Sequence, residues 1–109
     1  MVAINGTSIN MTRGDTLRVN IALTDVAGNE YVPVDGDIIR FAAKKNYLDD
    51  DPIILKIIPN DTLLLELTPS DTKIMAFGTY VYDIEITFAD GVVDTFIANA
   101  KLIISEEVL

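Results

Sequence analysis

The chain has 109 residues, 50% of them hydrophobic, with 17 acidic against 8 basic side chains and neither cysteine nor histidine. That length fits a single domain over residues 1–109 with one core, and so apolar a composition excludes disorder as the resting state. Without thiol or imidazole there is no disulfide, no thiolate metal site, no Ser-His-Asp triad and no ordinary general base near neutral pH, while a net charge of −9 repels phosphate backbones and anionic lipid, so neither nucleic acid nor membrane is an expected partner.

At the start of the chain, Val2-Ala3-Ile4 and Ser8-Ile9-Asn10-Met11 flank Asn5-Gly6, a dipeptide suited to the positive φ angles of a tight hairpin, and predict two short strands. No basic segment leads an apolar stretch there, so secretory export is not expected. Residues 16–24 alternate with period two and place Leu17, Val19, Ile21 and Leu23 on one face of a half-buried strand. Turn-forming sequences bound it, Arg13-Gly14-Asp15 before and Asp25-Val26-Ala27-Gly28-Asn29 after. Residues 37–44 predict a further strand with Ile39, Phe41 and Ala43 facing the core. Asp49-Asp50-Asp51 makes residues 46–52 a solvated loop, because three adjacent carboxylates cannot be buried together.

Residues 53–58 and 63–67 read as two strands joined in a hairpin by Pro59-Asn60-Asp61-Thr62. A single helical turn is expected near residues 70–76, capped by Ser70 and ended at Gly78. Residues 79–88 carry the cleanest alternation, with Tyr80, Tyr82, Ile84, Ile86 and Phe88 on one side. Asp90-Gly91 then turns the chain into residues 92–104, whose Phe96, Ala98, Ala100, Leu102 and Ile104 continue an inward face in a C-terminal hairpin. Seven to nine short strands about ten residues apart, without a long helical period, predict an all-β fold, an antiparallel two-sheet β-sandwich of immunoglobulin-like type. No apolar run approaches the roughly 20 residues of a membrane-spanning helix, and a soluble protein is expected.

Several residues invite a chemical reading. Asp83 and Glu85 project from one strand face like a carboxylate pair for acid-base work, but a solvated outer face carries such residues as a rule. Asp49-Asp50-Asp51, and Asp35 with Asp37, offer oxygen ligands for calcium without matching the spacing of an EF-hand loop. Arg13-Gly14-Asp15 spells an integrin-type tripeptide in what reads as ordinary turn chemistry. Tyr80 and Tyr82 would suit a sugar-stacking platform, yet they alternate in phase with core residues. Tyr31, Tyr47 and Phe77 fall in loops and are the better candidates for contact surface. Asn-X-Thr sequons begin at Asn5, Asn10 and Asn60 and carry no weight without secretion. No catalytic, cofactor-binding or metal residue is therefore assigned, and no enzyme is expected. If the domain assembles, edge strands of the terminal hairpins offer an interface, including one with a second copy as a homo-oligomer.

Two resemblances extend this reading. Asp71-Thr72 followed by Gly78-Thr79-Tyr80-Val81-Tyr82 resembles the immunoglobulin-like corner that bears a tyrosine, with Tyr82 where antibody domains have their second cysteine, although the core tryptophan and both cysteines are missing. More broadly, Thr12-Arg13-Gly14-Asp15-Thr16, Gly36-Asp37, Thr68-Pro69-Ser70-Asp71-Thr72, Gly78-Thr79-Tyr80-Val81-Tyr82-Asp83-Ile84, Asp90-Gly91 and Thr95 follow one another in an order similar to the N-terminal domain of the baseplate upper protein family. That family belongs to tailed phages and prophages of Gram-positive bacteria, and the likeness spans residues 9–104. It implies an immunoglobulin-like structural protein of the virion that docks a host-recognition organelle onto the tail through protein-protein contacts. Its partners would be other phage tail or baseplate proteins, and its location the virion, or the bacterial host cytoplasm before assembly. The residues by themselves also accommodate a carbohydrate-binding or adhesion module of a bacterial surface protein.

Overall fold

The computed structural model describes residues 8–24 and 27–106. Within them lie β1 (Ile9–Thr12), β2 (Leu17–Asn20), β3 (Ile38–Lys44), β4 (Ile54–Ile58), β5 (Leu64–Leu67), α1 (Pro69–Lys73), β6 (Gly78–Thr87) and β7 (Val93–Ser105). The fold is all-β with one short helix, as its alternating segments require. The strand expected over Val2-Ala3-Ile4, with its Asn5-Gly6 turn, falls outside the described residues.

One sheet has the order β1-β7-β6-β3-β4, and β2 and β5 form a second. Every pair is antiparallel except β1 with β7, where Ile9 stands opposite Leu102 and Thr12 opposite Ser105 in parallel. The larger sheet is thus mixed and not purely antiparallel as expected. Short turns dictate antiparallel neighbours, but β1 and β7 are joined through nearly the whole fold, so no turn fixes their relative direction.

Period-two patterning accounts for the core. Across the β3–β6 ladder Ile39 faces Ile86, Phe41 faces Ile84 and Ala43 faces Tyr82, and paired residues project to the same side. All six are buried, and Leu65 and Leu67 of β5 join Ile21 and Leu23, just past β2, in the same cluster. The Phe41 and Tyr82 rings lie within it, tilted by 33° with centroids 5.1 Å apart. Each fully buried Leu, Ile or Phe contributes about 1.5–3 kcal/mol, so truncating Phe41 would undo more of the core than any single hydrogen bond holds.

Three local expectations are corrected. β4 and β5 form no hairpin, since β4 pairs with β3 and β5 with β2. The chain does turn between them, Leu63 N–H donating to the Pro59 carbonyl at 2.9 Å, but Leu63 adopts a φ of +51° and leads into the other sheet. In β7, Ile97 is buried and Ala98 exposed, the reverse of the simple alternation. Register shifts between Tyr82 and Glu85 slip the pleat of β7, and Ala100, Leu102 and Ile104 beyond them face inward as expected. The helix is capped by Thr68 and not Ser70. Pro69 opens the helix because it has no N–H to satisfy, Asp71 reaches back to accept the Thr68 N–H at 2.7 Å, and Gly78 begins β6 instead of ending the helix.

Candidate functional site

Asp37 illustrates how the fold disposes of a carboxylate. It is only 5% exposed at the start of β3, and it accepts hydrogen bonds from Tyr31 Oη at 2.6 Å, Val34 N–H at 3.0 Å and Ala89 N–H at 3.0 Å. Burial alone would raise its pKa, but these three donors together outweigh it and hold the carboxyl below the usual range. The hydrogen bond to Asp37 in turn is the main cause that pushes the Tyr31 hydroxyl up to about 12. Asp37 therefore fastens the 31–37 loop to the 88–92 turn, and its lone pairs are engaged by protein donors in place of the calcium weighed from sequence. Tyr31, expected as contact surface, is half-buried with its ring edge-on to Phe88 at 5.6 Å.

The other acids are similarly placed. Glu85 pairs with Arg40, its cross-strand neighbour, while Asp83 stands exposed opposite Ala42, and both carboxylates line one open hollow of about 230 Å³ together with Asp50, Arg40 and Lys44. Asp49 closes its own loop by accepting the Asn46 N–H at 3.0 Å. Among the described residues no group of three or more acidic side chains is placed to hold a metal ion. Asp71 bridges to Lys56 at 2.9 Å. Burial opposes its charge, but Lys56 and the Thr68 N–H and hydroxyl prevail and lower its pKa.

The loop and aromatic candidates separate clearly. Arg13-Gly14-Asp15 is a turn, with Asp15 N–H donating to the Thr12 carbonyl at 3.1 Å and Gly14 N–H to Thr72 Oγ1 at 2.8 Å. The Arg13 guanidinium lies 4.6 Å from the centre of the Phe77 ring. Tyr80 and Tyr82 are buried, so they offer no platform to a sugar. Burial pushes the Tyr82 hydroxyl up to about 12. Tyr80 Oη donates to the Ala76 carbonyl at 2.7 Å. Tyr47 is exposed beside a hollow of about 60 Å³ that it shares with Lys44 and Asp83, room for only a few water molecules. The Asn60 side chain donates to the Asp37 carbonyl at 2.7 Å, so this sequon serves an internal bond.

The feature that sequence reasoning missed is the outer face of the larger sheet. Ile38 pairs with Thr87 and Thr87 with Val93, while Ile57 pairs with Arg40 and Leu55 with Ala42. These residues share the side turned away from the core, and Ile38, Leu55, Ile57 and Val93 are 46%, 58%, 61% and 55% exposed. A signal existed, because Ile54-Leu55-Lys56-Ile57-Ile58 is apolar at both parities, the pattern of a strand covered on both faces. β4 also ends the sheet, whereas β7 lies between β1 and β6 and is no edge, contrary to the expectation for the C-terminal hairpin. No helix among the described residues is long and apolar enough to cross a membrane. No family model matches the chain, and a search of curated proteins finds no match either.

Proposed function

We propose that the chain is an immunoglobulin-like structural module of a tailed phage or prophage, a baseplate or tail protein that acts by docking to its neighbours and not by catalysis. The observation that carries this reading is the outer sheet face, where Ile38, Leu55 and Ile57 stand in water. Exposed aliphatic groups gathered on one face mark interaction sites, whereas the buried carboxylate of Asp37 is already satisfied internally.

The strand order supports the immunoglobulin-like assignment. β2 and β5 correspond to strands B and E of that fold, and β3, β4, β6 and β7 to C, C′, F and G of its variable type. Tyr80, two residues before Tyr82 near the start of β6, makes the backward hydrogen bond of the tyrosine corner. Phe41 against Tyr82 fills the place of the tryptophan and disulfide. The phage context is supported by the ordered motifs, which fall on joints of the fold: the turn at Gly14, the Asp37 tie, α1 and the turn at Asp90-Gly91. The partners are other tail or baseplate proteins, and the protein resides in the virion, or in the host cytoplasm before assembly.

Co-expression with the tail and baseplate proteins encoded by neighbouring genes, read by size-exclusion chromatography with light scattering, tests the proposal. A stable complex is expected. A strict monomer with every such protein, or reproducible sugar binding on a glycan array, would overturn it in favour of an adhesion module.

A further inference from the structure

We infer that the outer face of β3 and β4, centred on Ile38, Leu55 and Ile57, is the docking surface, and that its occupant is a partner protein presenting aliphatic side chains ringed by lysine or arginine. This inference rests on the assembly reading above and specifies its surface and chemistry.

Ladder register is the first support. Residues 38, 40 and 42 of β3 alternate away from the buried 39, 41 and 43, and β4 places Ile57 beside Arg40 and Leu55 beside Ala42. The exposed aliphatic groups are thus neighbours on a rigid sheet and not scattered singly on loops, the arrangement that ordinary surface chemistry leaves unexplained.

Charge selects the occupant. A shallow depression of about 440 Å³ is lined by Ile38, Ile57 and Pro59, and the charged groups lining it, Asp35 and Asp61 among them, are all acidic. Further along the face, around Leu55, Asp50, Asp83 and Glu85 outnumber Arg40 and Lys44. An aliphatic floor with an acidic rim complements an apolar, basic surface. A second copy fits poorly, because a two-fold contact would bring like rims together between chains that each carry −9. Strand addition along the free side of β4 is also opposed. Lys56 projects on the inner side of that edge strand and is anchored to Asp71 at 2.9 Å, and an inward charge on an edge discourages further pairing. On this side of the sheet, docking on the face is what remains open.

The test uses the full chain and a twelve-residue peptide of alternating leucine and lysine, with a glutamate-for-lysine counterpart, followed by amide NMR shifts. The lysine peptide should give saturable shifts centred on Ile38, Leu55 and Ile57. Leu55→Ser with Ile57→Ser should weaken binding at least tenfold and Asp35→Asn with Asp61→Asn at least threefold, all without lowering the thermal midpoint, since these groups face solvent. Binding of the glutamate peptide, shifts centred elsewhere, indifference to both double variants, or concentration-dependent pairing of the chain through these residues would each overturn the inference. Tail proteins that bind wild type and the Leu55/Ile57 variant equally would remove this surface while leaving the assembly role intact. Failure of every tail protein to bind would instead count against the assembly role itself.

Discussion

At one end of the strands, where residues 31–37 meet the 88–92 turn, a single buried carboxylate gathers three donors, two from its own loop and one from the turn. At the other end, α1 is anchored through Asp71, but the turn at Gly14 and the approach to β6 are held by neutral bonds that share no acceptor: Gly14 N–H to Thr72 Oγ1 and Tyr80 Oη to the Ala76 carbonyl. Concentrating bonds on one charge makes each stronger but leaves the whole end dependent on one side chain. Distributing them over neutral groups makes each weaker and each loss local.

Replacing the hub should therefore have the largest effect. Asp37→Asn turns an amide N–H₂ toward groups that are themselves donors, and should cost about 3 kcal/mol, or about 13 °C in thermal midpoint by calorimetry. A loss below about 1 kcal/mol would mean that this end is not held by the carboxylate. Acid should reach the same state in the wild type. The folded pKa of Asp37 lies below its unfolded value, so the unfolded chain takes up the proton more readily. Its stabilisation is complete above the unfolded carboxylate pKa and is lost as pH falls through the folded one. The variant should have a flatter stability profile in that acidic window. Tyr31 behaves oppositely: with a folded pKa of about 12, its contribution is present below the unfolded value of about 10 and is lost as pH rises toward 12. Tyr31→Phe should remove that part of the alkaline loss, with Tyr82, also near 12, left to supply the rest.

A backbone change at the same end comes next. Gly36 has a φ of +95°, and a Cβ there would stand 2.9 Å from the Ala89 Cβ. Gly36→Ala should cost about 2 kcal/mol, against about 1 kcal/mol for Gly28→Ala, where φ is +85° but nothing lies within 4 Å of the new atom. Equal losses in urea titrations would show that the loop can shift away from the turn. At the distributed end, Tyr80→Phe should cost about 1 kcal/mol. Its effect should add to that of Thr72→Val within about 0.5 kcal/mol, because the two bonds have no common partner. Tyr31→Phe combined with Asp37→Asn should fall well short of additivity. Smallest of all, Arg18→Ala breaks a 2.5 Å pair with Glu66 whose side chains are 68% and 40% exposed, and should change stability by no more than about 0.5 kcal/mol.

Legibility in the sequence followed the range of the physics. The inward faces of residues 17–23, 39–43 and 80–86 were readable because pleat alternation is local, and they appear as written. Which strand pairs with which was not. Pro59-Asn60-Asp61-Thr62 satisfies a turn whether the chain returns along β4 or crosses to the other sheet, and the choice is made by the distant partners β2 and β3. The phase of β7 was lost to bulges that no residue type announces. The role of Asp37 as a tie was not readable for the same reason, since its partners include Ala89, 52 residues away. Tyr80 was easier, because its position relative to Tyr82 and the short helix fixes its role through near neighbours.

The parallel pairing of β1 with β7 has a mechanical consequence. Ile9 begins its strand level with Leu102, and β7 runs on past it to Ser105, where the Arg13 N–H still bonds at 3.0 Å. Tension carried by the chain entering β1 and leaving β7 would drag these two strands lengthwise in opposite senses. Cross-links lying across that direction would then be sheared together and not peeled open in succession, so the geometry suits a link that must transmit force without coming undone.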